Sequence, residues 1–126
     1  MVLIIGGAWQ GKLDFARERF GLSEADLFIC NENTAALDTS KRCVAYVDRW
    51  VLNRIRAGAD PLAELEAFLP ALEDAVVIAT DVSGGVVPMD ATLRAWREAC
   101  GQIGARLASQ SGEVWRLFCG LPQRLK

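Results

Sequence analysis

The run Val2-Leu3-Ile4-Ile5, followed at once by Gly6-Gly7-Ala8-Trp9-Gln10-Gly11-Lys12-Leu13, constrains this chain more than any other stretch. Four aliphatic residues make a buried strand, and the glycines after it let the backbone curl so that several N–H groups point at one anion. A helix beginning near Gly11 aims its positive end at the same spot. The spacing Gly6-x-x-x-x-Gly11-Lys12 fits the nucleotide-binding loop at every position but the last, where Leu13 stands in place of Ser or Thr. That hydroxyl ordinarily holds Mg²⁺ against the β- and γ-phosphates, so the exception weighs toward phosphate binding over phosphoryl transfer. Gly6, Gly7, Ala8, Trp9, Gln10, Gly11, Lys12 and Leu13 are the candidate nucleotide-binding residues. The bland alternative is a glycine-rich turn with Lys12 solvated on the first turn of a helix. Trp9 either stacks on a ligand or blocks one.

A chain of 126 residues has room for one domain with a real core. Its apolar runs are cut by Gly, Asp or charged residues within a few positions, so no membrane span is expected. Met1-Val2-Leu3 carries no basic region or cleavage site and does not read as a signal peptide. Cys30, Cys43, Cys100 and Cys119 show no C-x-x-C spacing; reduced thiols in a cytoplasmic protein are the plain reading. A net charge of −2 with interspersed signs argues against a nucleic-acid surface. The chain has no histidine, which removes histidine bases, nucleophiles and metal ligands from any mechanism.

Beyond the loop, Lys12 to Phe20 reads as a short helix closed by Gly21, with Phe15 and Phe20 in the core. Ala25 to Cys30 reads as a second strand, and Asn31-Glu32-Asn33-Thr34 after it as a loop whose Glu32 and asparagines could face a ligand crevice. Asp38-Thr39-Ser40 looks like a helix start, with Val44, Val47, Val51 and Ile55 as the buried stripe of a helix ending at Gly58. Tyr46 and Trp50 are expected in the core. Asp60-Pro61 starts a further helix with Leu62, Leu65, Leu69 and Leu72 inward, and Pro70 bends its last turn.

Ala75 to Thr80 is apolar on both faces, as a central parallel strand covered by helices must be. It leads into Asp81, and a carboxylate at the tip of such a strand beside a phosphate loop is suited to hold Mg²⁺ directly or through its waters. A turn aspartate is the alternative. Asp90 begins a long helix with Leu93, Trp96, Cys100, Ile103 and Leu107 on one stripe. Gly101 and Gly104 suggest close packing there, and Arg94 and Arg97 flank the stripe within reach of an anion. Glu113 to Cys119 is a last strand.

These residues resemble the adenosylcobinamide kinase/adenosylcobinamide-phosphate guanylyltransferase family, a P-loop fold acting late in cobalamin assembly. Gly6-Gly7-Ala8 through Gly11-Lys12 is similar to that family's opening loop. Asp81-Val82 with Gly85-Val86-Val87-Pro88, Leu93-Arg94-x-Trp96-Arg97-Glu98, Gly101, Glu113-Val114-Trp115, and Gly120-Leu121-Pro122 to Lys126 carry the longer likeness. Between these regions residues 22–74 stand where the family has a longer portion with a histidine that becomes guanylylated. Without a histidine, that covalent intermediate cannot form here.

The resemblance implies a kinase-like phosphotransferase using GTP or ATP with Mg²⁺ on a corrinoid substrate. Lys12 would stabilise the phosphates, and Asp81 would position the metal through water. A regulatory module that binds nucleotide or phosphate without chemistry is the second reading, and a structural descendant with a closed loop the third. Family precedent also raises a homo-oligomer. The architecture expected is a three-layer α/β, P-loop-type domain with four mainly parallel strands near Val2–Ile5, Ala25–Cys30, Ala75–Thr80 and Val114–Cys119. The Ala75 strand should lie beside the first, bringing Asp81 next to Lys12.

Overall fold

A computed structural model describes residues 1–85 and 88–126 of the chain; Val86 and Val87 of the Gly85–Pro88 stretch lie outside the described residues. The strands are β1 (Val2–Gly6), β2 (Leu27–Ile29), β3 (Cys43–Ala45), β4 (Val76–Thr80), β5 (Glu113–Phe118) and β6 (Leu121–Arg124). The helices are α1 (Lys12–Phe20), α2 (Val47–Arg56), α3 (Pro61–Phe68) and α4 (Ala91–Gln110). The strands form one sheet in the order β2-β3-β4-β1-β5-β6, parallel throughout except for the last pair. β4 does lie beside β1, with Ile4 opposite Ile78 and Gly6 opposite Thr80.

Alternation along the strands divides the core in two. Ile4, Cys43, Ala45, Val76, Ile78 and Leu117 face α1, where Ala16, Leu22, Phe15 and Phe20 cover them. Leu3, Val44, Val77 and Val114 face the opposite way, under α2, α3 and α4, where Trp50, Val51, Leu65, Ile103 and Leu107 pack. Helices thus cover both faces of a mostly parallel sheet, the three-layer α/β arrangement its both-sides-apolar strands call for.

Six strands replace the four expected, and the two additions have separate causes. Cys43–Ala45 does not open a helix from Asp38. Asp38 instead accepts from the Ser40 N–H at 3.0 Å in a local turn, and Cys43, Val44 and Ala45 are buried between β2 and β4. The helix begins only after Tyr46, whose left-handed backbone (φ 60°) breaks the chain direction. Val47 and Val51 still form its buried stripe. The second addition, β6, pairs antiparallel with β5 across a two-residue turn in which Cys119 and Gly120 both take positive φ (52° and 74°), the geometry of a twist-matched hairpin turn.

Three smaller differences accompany these. The second strand is shorter than Ala25–Cys30, because Ser23 and Asp26 cap each other and draw Glu24–Asp26 into a 3₁₀ turn. Trp50 is buried against Phe68 (centroids 5.9 Å apart), whereas Tyr46 is half-buried on the other side of the sheet. Gly101 and Gly104 face open space, so neither serves close packing.

The remaining helix boundaries follow the chemistry read from the chain. Gly21 closes α1 in the left-handed conformation, Asp60 caps α3 by accepting from Ala63 N–H, and Asp90 caps α4 by accepting from Leu93 N–H. All four cysteines are free thiols, and burial pushes Cys30 and Cys100 up to about 12 and Cys43 to about 11. No helix among the described residues is long and apolar enough to cross a membrane.

Candidate functional site

β1 ends where two neighbouring backbones crowd it. The Asp81 N–H donates to the Gly6 carbonyl at 2.7 Å, and a Cβ on Gly6 would lie 2.6 Å from the Leu117 carbonyl oxygen. Only glycine fits there. The chain then loops from Gly7 to Gly11, with Trp9 (φ 62°) and Gly11 (φ 87°) in left-handed conformations, and enters α1 at Lys12. Such turns of hand line up successive N–H groups into an anion-binding concavity. The hairpin turn fastens the loop from outside. The Gly120 N–H donates to the Gln10 carbonyl at 3.1 Å, and the Cys119 N–H donates to Gln10 Oε1.

Lys12 lies beneath the loop with 4% of its surface exposed. Its ammonium donates to the Gly7 carbonyl at 2.6 Å and sits 5.9 Å from the centre of the Tyr46 ring. Burial lowers its pKa below the ordinary lysine value; the Asp48 carboxylate opposes that shift and Arg49 adds to it. Asp48, 6% exposed, accepts from the Thr80 N–H at 2.8 Å, and burial raises its pKa above the usual carboxylate range. The Trp96 indole N–H donates to the Asp48 backbone carbonyl at 2.7 Å, fixing the start of α2 from α4.

Over this arrangement opens a pocket of about 410 Å³ lined by Ala8 to Asp14, Tyr46, Arg49 and Thr80. All of Ala8, Trp9, Gln10, Gly11, Lys12 and Leu13 stand on its wall. The Trp9 ring is 100% exposed and does not fill the loop. Leu13 packs partly into the core on the α1 face and brings no oxygen to the pocket.

Asp81 stands at the tip of β4, its N–H bonded to the Gly6 carbonyl, but it does not line the pocket, and the carboxylate that acts on Lys12 is Asp48 rather than the expected Asp81. Its Oδ1 accepts from the Ser83 N–H at 2.9 Å and the Ser83 hydroxyl at 2.5 Å, and these bonds hold its pKa below the usual carboxylate value. No described residue donates to Oδ2. One ionised carboxylate oxygen is therefore open to a metal-bound water, a set that suits Mg²⁺ held chiefly by phosphates and solvent. Among the described residues no three His, Cys, Asp or Glu side chains converge into a direct metal cluster.

Other candidates lie elsewhere. Asn31 accepts from Asn33 N–H at 2.8 Å and shapes its own loop, and neither asparagine nor Glu32 lines the pocket. Arg94 and Arg97 bind backbone carbonyls of Pro88, Met89 and Ser83, tying the segment after Asp81 to α4. Asp48 and Arg49 escaped the sequence reading, and Tyr46, expected in the core, packs against it from the pocket wall. The signal that would have found them is a short buried strand at Cys43–Ala45, which places the residues just after it at the same sheet end as the loop.

No curated protein matches the chain. A family match covers residues 43–125, from β3 through β6, to CobU, described as cobinamide kinase / cobinamide phosphate guanyltransferase. The match takes in residues 43–74, where the sequence offered little likeness, and it starts after the loop of Gly6 to Leu13. Covering about two thirds of the 126 residues, it shows that this chain belongs to the cobinamide kinase / cobinamide phosphate guanyltransferase family.

Proposed function

We propose that this chain binds a nucleoside triphosphate, GTP or ATP, in the loop from Gly6 to Leu13 and acts as a kinase-type phosphotransferase on a cobinamide-like corrinoid. The observation that carries this reading is the buried Lys12 ammonium under an open pocket ringed by loop backbone. Phosphoryl transfer asks the protein chiefly for positioning and for positive charge where negative charge develops. In this reading the loop amides and the α1 N-terminus take phosphate oxygens, and Lys12 exchanges its bond to the Gly7 carbonyl for one to phosphate. Mg²⁺, when bound with the nucleotide, would screen the phosphates, and Asp81 would hold it through water by Oδ2. The guanylyl arm of the family's two named activities is not proposed, since no histidine is present to carry the group.

A regulatory module that binds nucleotide without turnover is the second reading. It is favoured by Leu13, which supplies no metal ligand, and by Ser83, which occupies one oxygen of Asp81. Titration calorimetry of GTP and ATP, with and without Mg²⁺, on the wild type and on Lys12→Ala separates the two when combined with product analysis on cobinamide. Binding by the wild type, weakened about tenfold or more by Lys12→Ala, is expected from the loss of a charge-assisted bond. Phosphorylated product that falls with Asp81→Asn supports the kinase. Binding without product supports the module, and absence of binding removes both.

A further inference from the structure

One cation at the pocket is not used by the loop. Arg49 lies in the first turn of α2 and lines the same pocket as Lys12. Its guanidinium carbon stands 4.3 Å over the Tyr46 ring, the same ring that the Lys12 ammonium approaches to 5.9 Å. Tyr46 is itself fixed by its left-handed backbone at the junction of β3 and α2, so one aromatic side chain sets the relative position of two positive groups.

The guanidinium is only partly engaged. Nη1 donates to the Cys30 carbonyl at 3.0 Å, which anchors the fork against the end of β2. Among the described residues no carboxylate forms an ion pair with Arg49, and no acceptor meets its Nη2 or Nε. Two like charges close enough for Arg49 to depress Lys12 oppose each other across a cavity open to ligands. Buried Asp48 offsets part of that repulsion, and a polyanion in the pocket would offset the rest. Arginine suits this task because its planar fork presents several donors at once to phosphate oxygens and stacks on an aromatic face without losing them.

We propose that Arg49 is a second anchoring cation of the polyphosphate site. Its guanidinium, stacked on Tyr46, takes phosphate oxygens of the same nucleoside triphosphate that the loop amides and Lys12 hold. The inference rests on the reading of the loop as a nucleotide site and adds to it a residue from α2, on the far side of β4 from the loop strand in the sheet order.

Calorimetric titration of GTP, ATP and inorganic tripolyphosphate, with and without Mg²⁺, tests it on the wild type, Lys12→Ala, Arg49→Ala, Arg49→Gln and Arg56→Ala. Arg49→Gln keeps most of the stem should the alanine variant fold poorly. Arg56→Ala, in the last turn of α2, removes an equal charge outside the pocket. Both Arg49 variants should bind all three ligands about tenfold or more weakly, the loss of one charge-assisted contact. Arg56→Ala should stay within about twofold, the range left to a screened distant charge. The inference is overturned if the wild type binds, Lys12→Ala weakens binding, and the Arg49 variants do not; the nucleotide reading then stands alone. It is equally overturned if the Arg49 variants lose GTP but keep tripolyphosphate, for Arg49 would then read base or sugar. No binding of GTP, ATP or tripolyphosphate by the wild type removes the loop reading and this one together.

Discussion

Lys12 and Asp48 show how much of this site is decided by individual buried charges. Each is almost wholly removed from water, and each is shifted by that burial toward its neutral form. Folded Asp48 keeps its proton to higher pH than the unfolded chain, where a carboxyl titrates near 3.8, so its ionisation lowers stability as pH rises above that value. Asp48→Asn retains an oxygen for the Thr80 N–H and abolishes the ionisation cost. Its thermal midpoint should exceed that of the wild type at neutral pH, and the gain should vanish toward about pH 3, where both unfolded and folded wild type are protonated. A calorimetric melt series across that range checks the sign; equal midpoints at neutral pH would mean the carboxylate is stabilised by its neighbours rather than strained. Lys12 was legible from spacing alone because glycines and a following lysine encode a local backbone shape. Asp48 was not, since its importance comes from a strand thirty-odd residues away, Thr80 in β4, whose amide it accepts.

At the scale of elements, the loop is stiffened from outside by the β5–β6 hairpin. Gln10 takes the Cys119 N–H on its side chain and the Gly120 N–H on its carbonyl, so the Gly7–Gly11 loop and the hairpin turn share two hydrogen bonds. Gln10→Ala removes the first of these at a half-exposed position. Nucleotide affinity should fall about two- to tenfold, the net worth of one such bond, with little change in melting temperature. Hydrogen exchange at the Cys119 amide should quicken in parallel, and unchanged exchange would show that the turn holds without the side chain. Neither hairpin nor β3 was visible in the sequence. β6 is exposed at all four residues and carries no alternating pattern, while β3 is three residues long and apolar on both faces. Val44 also falls in step with Val47 and Val51, so a helical period ran through a strand without interruption.

For the whole molecule, the sheet separates two cores, and Trp50 fills the one under α2, α3 and α4 while its indole N–H donates to the Ala35 carbonyl at 3.1 Å. Trp50→Ala should cost about 3–5 kcal/mol by denaturant unfolding. That is a large part of the roughly 5–15 kcal/mol that holds a typical domain. A loss below about 1 kcal/mol would mean that face repacks freely. The layered α/β class, the strand–loop–helix start, the turn around Asp81, and the glycine and aspartate residues that close or open the helices were all written in the sequence. Those features depend on residues close together in the chain, where hydrophobic period and backbone preference act directly. It took the tertiary structure to bring Tyr46, Asp48 and Arg49 together with Lys12 and to fold the chain's last residues back as an edge strand. Each of those outcomes follows from which strand lies beside which, and parallel pairing joins segments whose local sequence carries no record of their neighbour.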